Sequence, residues 1–201
     1  MSNICTLIVA GGNGRRIGGH KADIELCGKR LIEHVLTRVE DWDLPIFVQV
    51  RSYNQVKTPG YTQILDNPDI DGPLSGIIAG LDYAKRKGFS YIISVACDMP
   101  FLPPNLVDWL LPSAQQTGRV TIASSSGRLH PLCAIWPIAC LPSLKASAGR
   151  GELSLNQVSK TFGQDELSWP DTPFDPFFNI NTPEDLKRAE RIAVISGHTL
   201  P

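Results

Sequence analysis

Charge imbalance is the first thing this chain lacks. Its 201 residues carry 19 Lys and Arg against 20 Asp and Glu, a formal net charge of −1. Such a balance gives no long-range attraction toward nucleic acid or an anionic membrane. Long apolar runs are missing too, and none approaches the roughly 20 residues needed to span a bilayer. The start, Met1-Ser2-Asn3-Ile4, has neither the basic nor the apolar region of a signal peptide. Cysteines are few: Cys5, Cys27, Cys97, Cys133 and Cys140 are odd in number and show no C-x-x-C spacing. That argues against a disulfide framework or a zinc site and points to a reducing cytoplasm. No Ser-His-Asp or Cys-His device, internal repeat, low-complexity tract or linker stands out. A single domain over residues 1–201 is therefore expected.

What is present is an alternation of strand-like and helix-like segments. Leu7–Ala10, Ile46–Val50, Tyr61–Leu65 and Tyr91–Ala96 are compact apolar runs of strand length. Leu31, Ile32, Val35, Leu36 and Val39 share one helical face, and Leu74, Ile77, Ile78 and Leu81 form another stripe. Pro73 suits the first turn of that second helix. A helix from about Pro104 to Gln116, a strand over Val120–Ala123 and an antiparallel return over His130–Trp136 continue the series. Ala139–Phe162 reads as helical pieces broken at Gly149 and Gly151, and Ser168–Pro176 as a loop or edge. Phe177–Ile180 is expected to return to the sheet before a last helix capped by Thr182, with Pro183 at its first position. The pattern predicts an α/β fold, a mostly parallel Rossmann-like sheet in three α/β/α layers.

The loop after the first strand carries the strongest chemical signal. Five glycines fall within residues 11–19, interleaved with Arg15 and Arg16 and followed by Lys21. Glycine lets backbone N–H groups approach a phosphate chain, and the cations would balance its charge. Two familiar loops do not fit. A Walker A loop needs Lys directly after its last glycine and then a hydroxyl residue, whereas His20 precedes Lys21 and Ala22 follows it. A dinucleotide fingerprint needs a third glycine where Ile17 stands. A nucleoside-triphosphate loop of another kind is expected, the alternative being a flexible glycine loop between two elements.

In open α/β sheets, ligands gather at the carboxyl ends of strands, so polar residues there are site candidates. They are the glycine loop, Gln49 and Arg51, Asp66, and Asp98. Asp98 ends the most strand-like run. Either it caps the turn before Pro100 or it holds a magnesium ion, which needs few carboxylates when phosphates and water complete its shell. Asp66 opens Asp66-Asn67-Pro68, itself a turn signal.

The run A-G-G-x-x-x-R-x-G with a following lysine, here Ala10 to Gly18 with Arg16 and Lys21, resembles the molybdenum cofactor guanylyltransferase (MobA) family. So do C-D-x-P-F-L at Cys97–Leu102, G-P-L-x-G at Gly72–Gly76, and N-x-N-T-P-x-D-L at Asn179–Leu186. The resemblance covers nearly the whole chain and is weakest over Ala139–Asp175. It implies a nucleotide-diphospho-sugar transferase-like fold and transfer of GMP from GTP to the phosphate of molybdenum-bearing molybdopterin, with release of pyrophosphate. By the same resemblance Val9, Ala10, Gly11, Gly12, Lys21, Gln49, Asp66 and Asp98 bind nucleotide, and Arg16, Lys21 and Asp98 act in catalysis. Asp98 would also bind Mg2+, the expected cofactor. Lys21 is expected to be exposed to the cleft.

Asn179, Asn181, Arg128 and His130 are candidates for the acceptor side. The two asparagines could equally fix the turn into the last helix, while His130 has no neighbouring metal-ligand residues. Gln49 departs from the asparagine usual at its place, and Lys29-Arg30 from the family's G-K-P. GTP and molybdopterin are the implied partners, with molybdoenzymes or other cofactor-assembly proteins as recipients and neither nucleic acid nor membrane. Alternatives are a CTP-using sister enzyme, another small-molecule nucleotidyltransferase, or a non-catalytic nucleotide-binding regulator. Lys21 and Asp98 together argue against the last.

Overall fold

The central strands are apolar throughout because both of their faces are covered. The computed structural model describes residues 3–12, 14, 17, 19, 21–171 and 173–195. In chain order it runs β1 (Ile4–Val9), the small hairpin β2 (Glu25–Leu26) and β3 (Lys29–Arg30), α1 (Leu31–Glu40), β4 (Ile46–Val50) and β5 (Thr62–Leu65). There follow α2 (Pro73–Arg86), β6 (Tyr91–Ala96), α3 (Leu106–Thr117), β7 (Val120–Ser125) and β8 (Arg128–Pro137). The last elements are α4 (Leu141–Gly149), α5 (Leu155–Phe162), β9 (Gln164–Ser168) and α6 (Pro183–Ile195). Among the described residues no helix is long and apolar enough to cross a membrane.

Seven strands form one sheet in the order β5-β4-β1-β6-β8-β7-β9. Only β8 is antiparallel to its neighbours. This matches the expected return after the short turn at Ser126-Gly127. Alternate residues of β1 divide between two cores. Ile4 and Ile8 join Ile32, Val35 and Val39 of α1 and Leu106 and Leu110 of α3. Cys5 and Leu7 join Leu74, Ile77 and Leu81 of α2 and Leu144 and Val158 of α4 and α5. The result is the expected three-layer sandwich.

Helix α2 lies unusually close to the sheet. A Cβ on Gly80 would stand 2.3 Å from Leu7 Cδ2, so only glycine permits this approach. Four residues earlier, on the same face, Gly76 meets Gln49 in the same way, with 2.7 Å from a Cβ to Oε1.

One expectation at the far edge needs correction. Phe177–Ile180 does not rejoin the sheet. The open edge of β7 is taken instead by β9, paired in parallel from Val120↔Gln164 to Ser124↔Ser168. The chain then crosses the end of β6 as a strap over residues 175–181, and Ile180 N–H donates to the Asp98 carbonyl at 3.1 Å. Phe177 is fully buried as the strap's plug. Apolar character that reads as a strand here serves a single anchoring side chain.

Candidate functional site

Four parallel strands bring their carboxyl ends to one edge. Val9 lies opposite Gln49 on one side and Ala96 on the other, and Val50 opposite Leu65. The residues at these ends, Gly11, Gly12, Gln49, Arg51, Asp66 and Asp98, therefore meet around a cleft of about 210 Å³. Lys21 enters from the glycine loop, and Gly72 and Pro73 from the start of α2.

One wall is built on Gln49. Its side chain is 1% exposed and lies between Gly11 and Gly76. A Cβ on Gly11 would come within 2.7 Å of Gln49 Nε2, so both glycines make room for the long amide. The Gly11 N–H donates to Gln49 Oε1 at 3.4 Å. Gln49 Nε2 and Asp66 Oδ1 are both buried without a hydrogen-bond partner in the protein. Burial pushes the Asp66 carboxyl up, against the Ser75 hydroxyl and the Arg51 guanidinium, whose Nε lies 3.8 Å away. An unmet buried donor beside an unmet buried acceptor is costly unless a ligand supplies the complementary groups.

The opposite wall is a polar knot around Asp98, which is 5% exposed. Lys21 Nζ forms an ion pair with Asp98 Oδ2 and donates to Asn181 Oδ1 at 2.6 Å. Asn179 Nδ2 donates to Asp98 Oδ1 at 3.4 Å. Lys21 thus lines the cleft, but its side chain is only 14% exposed and its charge is matched by the carboxylate. Thr182 and Asp185 fix the helix start themselves. Asp185 N–H donates to Thr182 Oγ1 at 3.1 Å, and Thr182 N–H to Asp185 Oδ2 at 2.9 Å. That reciprocal cap leaves both asparagine side chains for Asp98 and Lys21.

The other candidates are placed as follows. Val9, Gly11 and Gly12 line the cleft. Ala10 is buried, and its N–H donates to the Gln49 carbonyl at 2.9 Å. Arg16 lies outside the described residues. Arg128 is exposed at the start of β8, and neither it nor His130 is among the residues lining the cleft.

His130 is 3% exposed and bonded through Nε2 to Ser125 Oγ at 2.7 Å. Ser125 Oγ donates to Asp175 Oδ1 at 2.8 Å. Ser, His and Asp therefore do meet, although no such arrangement stands out in the sequence. The hydroxyl sits between the other two and gives its proton to the acid, so this is not a nucleophilic triad. Nothing in the sequence marks it, since Asp175 is 50 residues from Ser125.

Among the described residues no three His, Cys, Asp or Glu side chains group as a metal cage. The donor set at Asp98 is one carboxylate with neighbouring carboxamides. That chemistry suits a hard cation whose shell is completed by phosphate oxygens and water.

Comparison with known proteins agrees with this layout. The MobA-like NTP transferase domain matches residues 6–164. A molybdenum cofactor guanylyltransferase of Nitrobacter hamburgensis is 32% identical over 198 residues, 95% of each chain. The crystal structure of molybdopterin-guanine dinucleotide biosynthesis protein A from Archaeoglobus fulgidus superposes with a TM-score of 0.79 at 28% identity, covering 94% of this chain and 98% of that one. A 2-C-methyl-D-erythritol 4-phosphate cytidylyltransferase from Thermus thermophilus, at 15% identity, 94% and 98% coverage and a TM-score of 0.69, shares the fold. With that domain matched over most of the chain and a relative 32% identical across 95% of it, the chain belongs to the MobA-like NTP transferases.

Proposed function

We propose that this protein is a molybdenum cofactor guanylyltransferase. An oxygen of the terminal phosphate of molybdenum-bearing molybdopterin attacks the α-phosphorus of GTP, and the bond to pyrophosphate breaks. The relatives' names support the reaction, and one observation carries the choice of base: the unmet pair Gln49 Nε2 and Asp66 Oδ1 in the wall of the cleft. Guanine presents two adjacent N–H donors and a carbonyl oxygen on one edge. A carboxylate accepts from the former while an amide N–H donates to the latter. Cytosine offers the carboxylate one donor instead of two.

In-line displacement at phosphorus calls mainly for positioning and charge balance. The backbone at Gly12 would face the phosphates while the Gly11 N–H is engaged by Gln49 Oε1, and Lys21 and Arg16 would balance charge on the phosphates and on the departing pyrophosphate. Asp98 is the residue that would hold Mg2+, which supplies neutralisation of the triphosphate oxygens when bound. Asn179 and Asn181 orient the acceptor phosphate beside Asp98. A cytoplasmic setting is part of this reading, and five cysteines that are all free thiols support it. Its product would pass to molybdoenzymes or other cofactor-assembly proteins, as the resemblance implies.

The test is direct. The protein is incubated with each of the four nucleoside triphosphates, magnesium and molybdenum-loaded molybdopterin, and pyrophosphate and dinucleotide are measured. GTP should be favoured over CTP and ATP by ~10-fold or more, the scale of a lost hydrogen bond to a buried polar group. Equal or preferred use of CTP would reassign the chain to the cytidylyl enzymes.

A further inference from the structure

The strap over residues 175–181 supplies both asparagines, yet it belongs to no strand or helix. Its backbone is held at both ends. At its far end the Ile180 N–H is bonded to the Asp98 carbonyl. At its near end Asp175 Oδ1 accepts from Ser125 Oγ at 2.8 Å and from the Phe177 N–H at 2.9 Å. Ser125 Oγ has one proton to give and gives it to Asp175, so His130 Nε2 is the donor in their 2.7 Å bond. The His130 ring also stacks on Phe177, with centroids 4.8 Å apart and an interplanar angle of 29°. One chain of bonds, imidazole to hydroxyl to carboxylate to backbone, thus fixes the strap to β7 and β8.

We propose that Ser125, His130 and Asp175 are positioning residues, which hold Asn179 and Asn181 against Asp98 and Lys21 by locking Asp175 and Phe177. The proposal rests on reading Asp98 and Lys21 as the reacting end of the cleft. The bond from Lys21 to Asn181 is 2.6 Å and that from Asn179 to Asp98 is 3.4 Å, so a small shift of the strap breaks either. Misplacing reacting groups by about 1 Å can cost ~100-fold in rate. None of the three residues lines the cleft, so the nucleotide-binding wall at Gln49 and Asp66 is untouched.

Three variants of the full-length protein, Ser125→Ala, Asp175→Ala and Asp175→Asn, test this by turnover, base preference and amide hydrogen exchange. Ser125→Ala and Asp175→Ala should lose at least ~10-fold in kcat, with the GTP-to-CTP ratio unchanged and faster exchange at the Ile180 amide. Asp175→Asn keeps an oxygen that can accept both bonds, so it should recover most of the rate and the protection. Wild-type kcat and wild-type Ile180 exchange in Ser125→Ala and Asp175→Ala would overturn the proposal. So would an Asp175→Asn as slow as Asp175→Ala, or a loss of rate that carries base preference with it. Exchange is measured without substrate. A wild-type protein inert with every triphosphate would therefore refute the guanylyl reading, while Ile180 exchange still decides the role of the strap.

Discussion

Asp98 concentrates the residue-scale chemistry, because it is nearly buried yet touches an ammonium group and a carboxamide. Asp98→Asn keeps the shape and the turn but removes the anion. The expected outcome is a folded protein with lowered melting, because the Lys21 ammonium loses its anionic partner, and almost no pyrophosphate release; an active variant would remove Asp98 from the metal role. Lys21→Ala breaks the same pair from the other side and strands the carboxylate. Turnover should fall at least ~100-fold, the scale of removing one group that stabilises transition-state charge. Stability should also drop, by roughly 1–3 kcal/mol as for a buried group left unsatisfied. Steady-state kinetics and urea unfolding on one preparation check both numbers. At the other wall, Gln49→Met retains the length packed between Gly11 and Gly76 but deletes the amide. Its expected effect is a rise of about 10-fold in the KM for GTP with kcat little changed, as when uniform binding is lost.

Helix α2 is the element whose placement most constrains the cleft. Its glycine face brings Gly80 onto Leu7 and Gly76 onto Gln49, and its first residue, Pro73, lines the site. Gly80→Ala puts a methyl group 2.3 Å from a Leu7 side chain that is 1% exposed and has nowhere to move. Overpacking of this kind costs about 1–3 kcal/mol, read as a lower urea midpoint. Leu7→Ala in the same chain removes the clash, so the double variant should be more stable than the sum of the two single losses predicts. Simple additivity would show that the helix is free to ride outward.

Across the whole molecule, the His130 knot couples the strap to acidity. Burial pushes the His130 imidazole below its ordinary 6.5, with Asp175 opposing and Arg128 reinforcing the shift. The unfolded chain therefore takes up protons more readily than the folded one. This contribution to stability is complete above about pH 6.5 and is lost as the pH falls below it. Melting temperatures at pH 7.5 and 5.5 should differ more for wild type than for His130→Gln; equal differences would refute the assignment. Much of the architecture was legible in the residues. The stripe Leu31, Ile32, Val35, Leu36 and Val39 could only be a helix face, and the glycine loop behind an apolar strand marked the cleft. Strand β9 was not legible. Gln164–Ser168 is polar and pairs because β7 offers it an open edge, so tertiary context overrides local preference. Phe177–Ile180 misled for the converse reason, since apolar residues can plug a core without pairing. By itself the sequence determined elements whose signal is local periodicity, together with the identities of the groups at the strand ends. Only the tertiary structure decided which of those groups touch. Lys21 and Asp98 are 77 residues apart, and Ser125 and Asp175 are 50 apart; each pair meets only because the chain folds back over the sheet.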